Sequence, residues 1–303
     1  MRRLTAALLN ASLVVLLVGC GAAQPSPTPV VTPAPTPTPA PTATAEPTPT
    51  PVPTVDPVLQ IIRQAALDTI ERDTVTLDMD LLFNGSVSVA DGTRVTGAGS
   101  AAFSQPMRFA LTADYGGLGL GKLRMIVNDK LLYLKGDILD RLKVEAGKWL
   151  LIDLTSSDPR AVPFLGITRG QNDVSVPIYY LFGAQSPVRT EADELIGGAL
   201  SKHYAFSLDL ETAAKVAPES SRSNLLDGLA ALRTSGVDKT IKADVWIDPD
   251  GLVRRVVYVY TVGHVAGGGT MTVTYGFDHF GDALDLAIPV VKDIVKLEDL
   301  PAS

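Results

Sequence analysis

Cys20 carries the side chain of this sequence that is best suited to covalent chemistry. It is the single cysteine among 303 residues, so it cannot form a disulfide within the chain. Its thiol is the one good nucleophile here for forming a thioether. The residue follows a positively charged start, Met1-Arg2-Arg3, and an apolar run over residues 4–18 that ends in Gly19. We therefore expect Cys20 to be chemically modified.

Residues 1–19 predict a secretory signal peptide, because a positive start, a short apolar core and a small residue precede the cleavage point. The apolar run has about 15 residues, which is shorter than the roughly 20 that a membrane-spanning helix needs. Leu17-Val18-Gly19-Cys20 resembles the lipobox of bacterial lipoproteins. That resemblance implies that residues 1–19 are removed and that a lipid on Cys20 anchors the chain to the outer face of the cell membrane. The alternative is an ordinary signal peptide followed by a chance cysteine.

No other residues have the spacing of a catalytic or metal site. The three histidines, His203, His264 and His279, lie far apart, without a His-x-His or His-Glu-x-x-His pattern. The sequence contains no Gly-x-Ser-x-Gly nucleophile elbow and no Gly-rich phosphate loop before a helix. Asp78 and Asp80 are expected on one solvated strand face rather than as a catalytic pair. We therefore expect no enzyme activity, no metal and no cofactor.

Charge and composition divide the chain into a linker and one domain. The formal net charge is −7, or −9 after removal of Arg2 and Arg3 (−7 − 2), which argues against a nucleic-acid partner. Residues 20–57 form a lipidated N-terminus and a linker rich in Pro and Thr, which cannot bury apolar surface. As an extended polyproline-II spacer the linker would reach about 100 Å. Residues 58–303 are then expected to form one domain, monomeric in solution.

The domain is predicted to open with one helix and to continue as strands. Asp56 is suited to cap a helix, Pro57 fits its first turn, and apolar residues follow at helical spacing up to Ile70. Apolar alternation with period two then predicts strands over 75–81, 96–104, 107–115, 118–127, 130–135, 149–154, 200–210, 241–247, 253–262 and 270–277, with an edge segment at 284–288. Further helices are predicted at 176–182, 223–234 and 290–297.

These elements predict an α+β fold with a single large, curved antiparallel sheet. Consecutive strands joined by short turns, such as Asn128-Asp129 and Asp248-Pro249-Asp250-Gly251, favour antiparallel pairing. A sheet of about ten strands tends to curl. Because only a few helices are available to cover its concave face, we expect a half-barrel whose interior is either filled core or a cavity.

The order of these features resembles the LppX/LprAFG family of bacterial lipoproteins, which in turn look like the lipoprotein carriers LolA and LolB. The resemblance rests on the lipobox, the Pro/Thr linker, the block Val245–Val253 with its Trp-Ile-Asp-x-x-Gly core, and the stretches 193–204 and 275–281. It covers essentially the whole mature domain, although residues 158–190 and the long linker depart from the pattern. It implies a half-barrel whose apolar cavity holds acyl chains, in proteins that move lipids between envelope layers.

Eight apolar residues are candidates to line such a cavity, because the predicted sheet and the first helix place them facing each other. They are Ile62, Ala66, Leu77, Met79, Phe109, Leu111, Val245 and Ile247. The expected function is therefore to bind a lipid or glycolipid without reaction and to carry it between envelope layers, with an envelope transport partner. The alternative is a sensory or scaffold lipoprotein with a filled core that binds a partner protein. An extracytoplasmic hydrolase ranks last, since no set of residues supports it.

Overall fold

The computed structural model describes residues 56–85, 90–161, 164, 174–234, 236–262 and 268–301. The predicted signal peptide, Cys20, residues 21–55 of the predicted linker and His264 lie outside these residues, whereas Pro57 at the end of the predicted linker begins the first helix. The predictions made for them therefore remain predictions.

Thirteen strands of the described residues join in one sheet that does not close on itself. The strands are β1 Thr74–Asn84, β2 Thr93–Ala102, β3 Arg108–Asp114, β4 Lys122–Asn128, β5 Leu131–Gly136, β6 Trp149–Asp153, β7 Ala184–Thr190, β8 Glu194–Ile196, β9 Ala199–Asp209, β10 Thr240–Ile247, β11 Val253–Thr261, β12 Thr270–Asp278 and β13 Ile294–Lys296. Their order is β13-β6-β5-β4-β3-β2-β1-β12-β11-β10-β9-β7, and β8 pairs with β9. The predicted α+β fold with a large curved sheet is confirmed.

Within the described part of the chain, four α-helices and several 3-10 turns accompany the sheet. The helices are α1 Pro57–Ile70, α2 Val176–Tyr179, α3 Leu210–Val216 and α4 Glu219–Thr234, and the 3-10 turns are Gly116–Leu118, Asp137–Leu142, Tyr180–Gly183, Val291–Asp293 and Leu297–Asp299. The helices do not cover the sheet evenly. Helix α1 packs against β7, β10 and β11, α2 against β11, and α3 against β9. The helical cover therefore lies mainly over one half of the sheet.

Helix α1 forms for the local reasons that the sequence indicates. The Asp56 side chain accepts a hydrogen bond from the Val58 amide at 3.0 Å, which satisfies one of the free donors of the first turn. Pro57 occupies the first turn, where it has no amide hydrogen to lose. Leu59, Ile62 and the alanines at 65 and 66 are buried along one face. That face packs onto the sheet.

Alternation along the strands separates an inner face from an outer face. The inner face carries Leu77, Phe109, Leu132, Val245 and their register partners, which belong to one buried cluster together with α1. The outer face carries mainly polar side chains. A smaller apolar cluster on the outer face consists of Ile126, Tyr133 and Trp149. The main core therefore lies between the inner face and the helices.

The end of the chain differs from the sequence prediction. Residues 284–288 are not a strand, and the segment predicted as a helix over 290–297 contains β13, which pairs with β6 in parallel. Strand β13 lies seven strand positions from β12, about 34 Å across the sheet. The connection crosses the outer face, where Leu286 and Ile294 pack against the Ile126 cluster. Pairing with the edge of β6 therefore outweighs the helical pattern.

Candidate functional site

Five apolar or aromatic residues stand side by side on the inner face of the central strands. In the strand register Met79 faces Gly97 on β2 and Tyr275 on β12, while Phe83 faces Met271. Leu111 on β3 faces Gly99. We call Met79, Phe83, Leu111, Met271 and Tyr275 the half-buried patch.

The half-buried patch differs from its neighbours in burial. Leu77, Leu81 and Val273 lie on the same inner face and are 7%, 2% and 4% exposed. The five patch side chains pack against the same core cluster but are only half-buried. Strands flank them on both sides, so the exposure is not that of a sheet edge. These side chains therefore border space that the described core does not fill.

Gly97 makes room beneath the half-buried patch. A β-carbon built at Gly97 would lie 3.3 Å from Met79 Cε and 3.5 Å from Leu111 Cδ1. The two side chains thus converge over a residue that has none. Because methionine is unbranched and adaptable, Met79 can shift to suit an apolar neighbour of varying shape.

The half-buried patch extends to one end of the sheet, where β1 ends at Asn84 and β12 begins at Thr270. We call this the upper end of the sheet. Antiparallel connections bring further half-buried apolar side chains to the upper end, namely Leu118, Leu120, Ile138, Leu232 and Val262. Helix α1 also begins there, since Ser186 Oγ donates to Asp56 Oδ2 at 2.8 Å and the nearby Ala184 pairs with Leu208 near the end of β9. Asp56, the first described residue, therefore lies at the same end of the sheet as Phe83 and Met271 of the patch.

Four tyrosines supply polar groups to this otherwise apolar interior. Tyr258, Tyr260 and Tyr275 lie on the inner face of β11 and β12, and the Tyr180 ring meets Tyr258 edge-on with ring centres 6.0 Å apart. The Tyr258 hydroxyl donates to the Pro177 carbonyl. Burial raises the pKa of Tyr275 to about 12, and it raises the pKa values of the other three further. These hydroxyls are therefore neutral hydrogen-bonding groups at physiological pH.

All eight sequence candidates lie in or against the main core cluster. Ile62, Ala66 and Val245 are fully buried, and Leu77, Phe109 and Ile247 are 7%, 5% and 5% exposed. Met79 and Leu111 are half-buried members of the patch. Their role as lining residues remains a prediction. Sequence reasoning did not select Phe83, Met271 or Tyr275, although period-two alternation over residues 270–277 already placed Met271 and Tyr275 on one strand face.

Two of the polar residues discussed from the sequence, His203 and Asp248, have structural partners. His203 Nε2 lies 2.9 Å from Asp244 Oδ1, and the His203 ring stacks on Trp246 with ring centres 4.1 Å apart. Asp248 is buried at its turn, where it accepts from the Leu252 amide at 2.9 Å. Within the described part of the chain, no three acidic, histidine or cysteine side chains are grouped so as to hold a metal ion. The described residues also include no helix long and apolar enough to cross a membrane.

Comparison with known proteins gives likenesses of structure only. No family model and no curated protein matches the chain in sequence. The fold is similar to the lipoprotein LppX of Mycobacterium tuberculosis, at 13% identity over 76% of this chain and 99% of LppX with a TM-score of 0.45. It is also similar to LprF of Mycobacterium bovis, at 11% identity over 76% of this chain and 96% of LprF with a TM-score of 0.43. A LolA superfamily protein of Nitrosomonas europaea is similar at 6% identity, covering 73% of this chain and 90% of that protein, with a TM-score of 0.27. Solved structures of the family that the sequence resembles are therefore also similar to this chain in fold.

Proposed function

We propose that this chain is an extracytoplasmic lipoprotein that binds the acyl chains of a lipid or glycolipid over the half-buried patch and carries the lipid between envelope layers. The observation that carries the proposal is the exposure of five inward-facing side chains at the centre of the sheet. Binding sites for small molecules are mostly apolar and have a few polar groups. The half-buried patch and the nearby tyrosine hydroxyls fit that description.

Burial of hydrocarbon would supply the binding free energy. Each methylene removed from water contributes about 0.8 kcal/mol, which is about fourfold in affinity. No chemical step on the lipid is required. In this proposal a lipid on Cys20 holds the protein at the cell membrane, and the linker lets the domain leave its surface.

The position of α1 suits this arrangement. Because the helix begins at the upper end of the sheet, the linker joins the domain at the same end of the sheet as Phe83 and Met271 of the half-buried patch. A tether attached there allows the patch to face the membrane from which a lipid would be taken. A linker of about 100 Å also allows it to turn away and reach another layer.

The first test is extraction of bound lipid. The mature chain, residues 20–303 with Cys20→Ser, is purified so that no anchor lipid is present, and its organic extract is examined by mass spectrometry. We expect a stoichiometric acyl lipid, and we expect a fluorescent fatty acid to bind and to be displaced by that lipid. A protein that contains no lipid and does not bind the acyl probe would refute the proposal.

A matched pair of variants locates the binding. Leu111 belongs to the half-buried patch, whereas the adjacent Thr112 is exposed on the outer face. Leu111→Trp adds a bulky side chain within the half-buried patch, so we expect it to weaken acyl-probe binding at least tenfold. Thr112→Trp adds the same side chain one residue away and should leave probe binding unchanged. Equal effects of the two variants would place the probe elsewhere.

A second function, the binding of a partner protein, is favoured by one feature of the hairpin β8–β9. Leu195 and Leu200 face each other in this hairpin and are 71% and 57% exposed. A pair of exposed leucines is typical of a contact surface. This function would be preferred if the chain binds no lipid and if Leu195→Ser with Leu200→Ser abolishes cross-linking to a membrane protein in intact cells.

A further inference from the structure

Exposed apolar side chains lie at the upper end of the sheet, in two loops beside β6 and β13. The antiparallel pairs from β1 to β6 alternate in direction, so β5 ends and β6 begins at the upper end, and β13, which is parallel to β6, also begins there. Residues 137–148 join β5 to β6, and residues 288–293 lead into β13; we call these two segments the upper loops. Four of their apolar side chains are exposed and belong to no core cluster, namely Leu142 at 41%, Ile288 at 44%, Val290 at 57% and Val291 at 86%.

Hydrogen bonds hold the upper loops in place. The Lys148 ammonium donates to the Lys292 carbonyl at 2.8 Å, which joins the two loops. The Asp293 amide donates to the Val290 carbonyl at 2.9 Å and closes the turn that carries Val291. The exposure of both valines is therefore set by a hydrogen-bonded turn of the folded chain.

The upper loops carry no net charge. Residues 137–148 contain three acidic and three basic residues, and residues 288–293 contain one of each. A strongly charged surface would therefore gain little from contact with these loops. Burial of their apolar side chains would supply the favourable free energy of contact.

A lysine follows an exposed apolar side chain in each upper loop. Leu142 precedes Lys143, and Val291 precedes Lys292, and both lysines are exposed. The stem of a lysine side chain is apolar, while its ammonium group stays in water. This pairing suits the boundary between the headgroups and the acyl chains of a bilayer, where the apolar side chain is buried and the ammonium group reaches the lipid phosphates.

The chain that precedes the described domain indicates a membrane as the surface that the upper loops meet. It enters the domain at Asp56, at the same end of the sheet as Phe83 and Met271 of the half-buried patch. With the lipid predicted on Cys20, this is the end from which the tether leaves the domain. A lipid that passes between a bilayer and the patch would require this end to approach the bilayer.

We infer that the upper loops dock the domain on a phospholipid bilayer by burying Leu142, Val290 and Val291 at the boundary between headgroups and acyl chains. The contact is apolar, so it requires no anionic lipid. The inference adds a membrane-contact surface and rests on the proposed function for the choice of a membrane as the partner. The contact itself needs no lipid in the half-buried patch, so docking and lipid binding can be tested separately.

Vesicle flotation tests the inference on the mature chain with Cys20→Ser, which carries no anchor lipid. We expect the protein to float with phosphatidylcholine vesicles. Val290→Ser with Val291→Ser should weaken vesicle binding at least tenfold, because the contact loses two apolar side chains. Added salt, or phosphatidylglycerol in the vesicles, should change the binding less than threefold, since the upper loops are neutral overall.

Leu195→Ser with Leu200→Ser is the matched control, because it also removes two exposed aliphatic side chains. These leucines lie in the hairpin where β9 begins, at the opposite end of the sheet from the upper loops. Vesicle binding by this control should be unchanged. An unaltered midpoint of urea denaturation shows that both double variants are folded.

A fluorescent label reports the contact directly. In the Cys20→Ser background, Val291→Cys supplies the single cysteine for an environment-sensitive fluorophore, and Leu195→Cys does the same at the opposite end of the sheet. We expect phosphatidylcholine vesicles to increase the emission of the label at position 291 and to leave the label at position 195 unchanged.

The docking inference is overturned if the protein does not bind vesicles, if binding survives the loss of both valines, or if only the leucine variant loses it. Acyl-probe binding by the same protein would then leave the proposed function standing. Vesicle binding that depends on the valines, in a protein that does not bind the acyl probe, would remove the proposed function and keep the contact surface.

Discussion

Thr69→Val tests how the covering helix is attached to the sheet. Thr69 lies in the last turn of α1 and is fully buried. Its hydroxyl donates to the Ala65 carbonyl at 2.6 Å and accepts from the Val253 amide of β11 at 2.8 Å. Val253 is also fully buried. One hydroxyl therefore connects the helix to the backbone of the sheet.

The expected loss in the free energy of unfolding follows from the buried amide that Thr69→Val leaves without a hydrogen-bond acceptor. Valine has nearly the shape of threonine, so no cavity forms, but the buried Val253 amide loses its acceptor. An unsatisfied buried donor costs about 1–3 kcal/mol, and we expect Thr69→Val to lower the free energy of unfolding by about 2 kcal/mol. Thr69→Ser keeps the hydroxyl and loses one methyl group, so it should cost about 1 kcal/mol.

Equilibrium denaturation by urea measures both variants. A lower midpoint with an unchanged slope reports a loss of stability rather than a change in the unfolded state. We expect Thr69→Val to be the less stable of the two. If Thr69→Ser is instead the more destabilised variant, packing of the methyl group outweighs the hydrogen bond, and the reasoning about the attachment of α1 is wrong.

Three further predictions follow from the structure. Asp248→Ala removes the buried partner of Arg254, whose Nε lies 2.6 Å from the carboxylate. We expect a loss of about 3 kcal/mol in the free energy of unfolding, measured by urea denaturation. A loss below about 1 kcal/mol would contradict this expectation. Burial raises the pKa of Tyr275 from its ordinary value near 10 to about 12, so the stability that its neutral hydroxyl contributes is complete below pH 10 and is lost as pH rises through about 12. Between pH 9 and pH 11.5 the melting temperature should therefore fall less for Tyr275→Phe than for the unaltered protein. Equal falls in melting temperature would contradict the assignment. Asp209→Ala removes the cap of α3, where the carboxylate accepts from the Thr212 amide at 2.6 Å; a loss of about 1 kcal/mol is expected, and Asp209→Asn, which keeps an acceptor, should recover most of it.

Elements that depend on neighbouring residues were predicted well. Helix α1 begins where Asp56 and Pro57 place its start, because a cap and a first-turn proline act within one turn. The turn after β10 likewise forms at the predicted residues, Asp248 to Gly251, and Gly251 adopts the positive φ of 80° that favours glycine. The helix at 176–182 is present as α2 and the following 3-10 turn.

Elements that depend on distant partners were predicted poorly. Strand β7 was not recognised, because Ala184–Thr190 is largely polar, contains Pro187 and is a strand only through pairing with β9. The segment around Ile294 was predicted as a helix, since its apolar spacing fits both periods over so few residues. Its partner, β6, lies more than 140 residues away in sequence. A local pattern cannot contain that information.

The sequence by itself determined which side chains face inwards, because alternation along a strand assigns Met79, Leu111 and Tyr275 to one face whatever lies above it. It also predicts the linker and the candidate anchor, since these predictions need no fold. Only the tertiary structure decided which inward side chains remain half-buried, since that depends on where α1 to α3 lie over the sheet. Burial is a property of the space between elements, and that space exists only after they have packed.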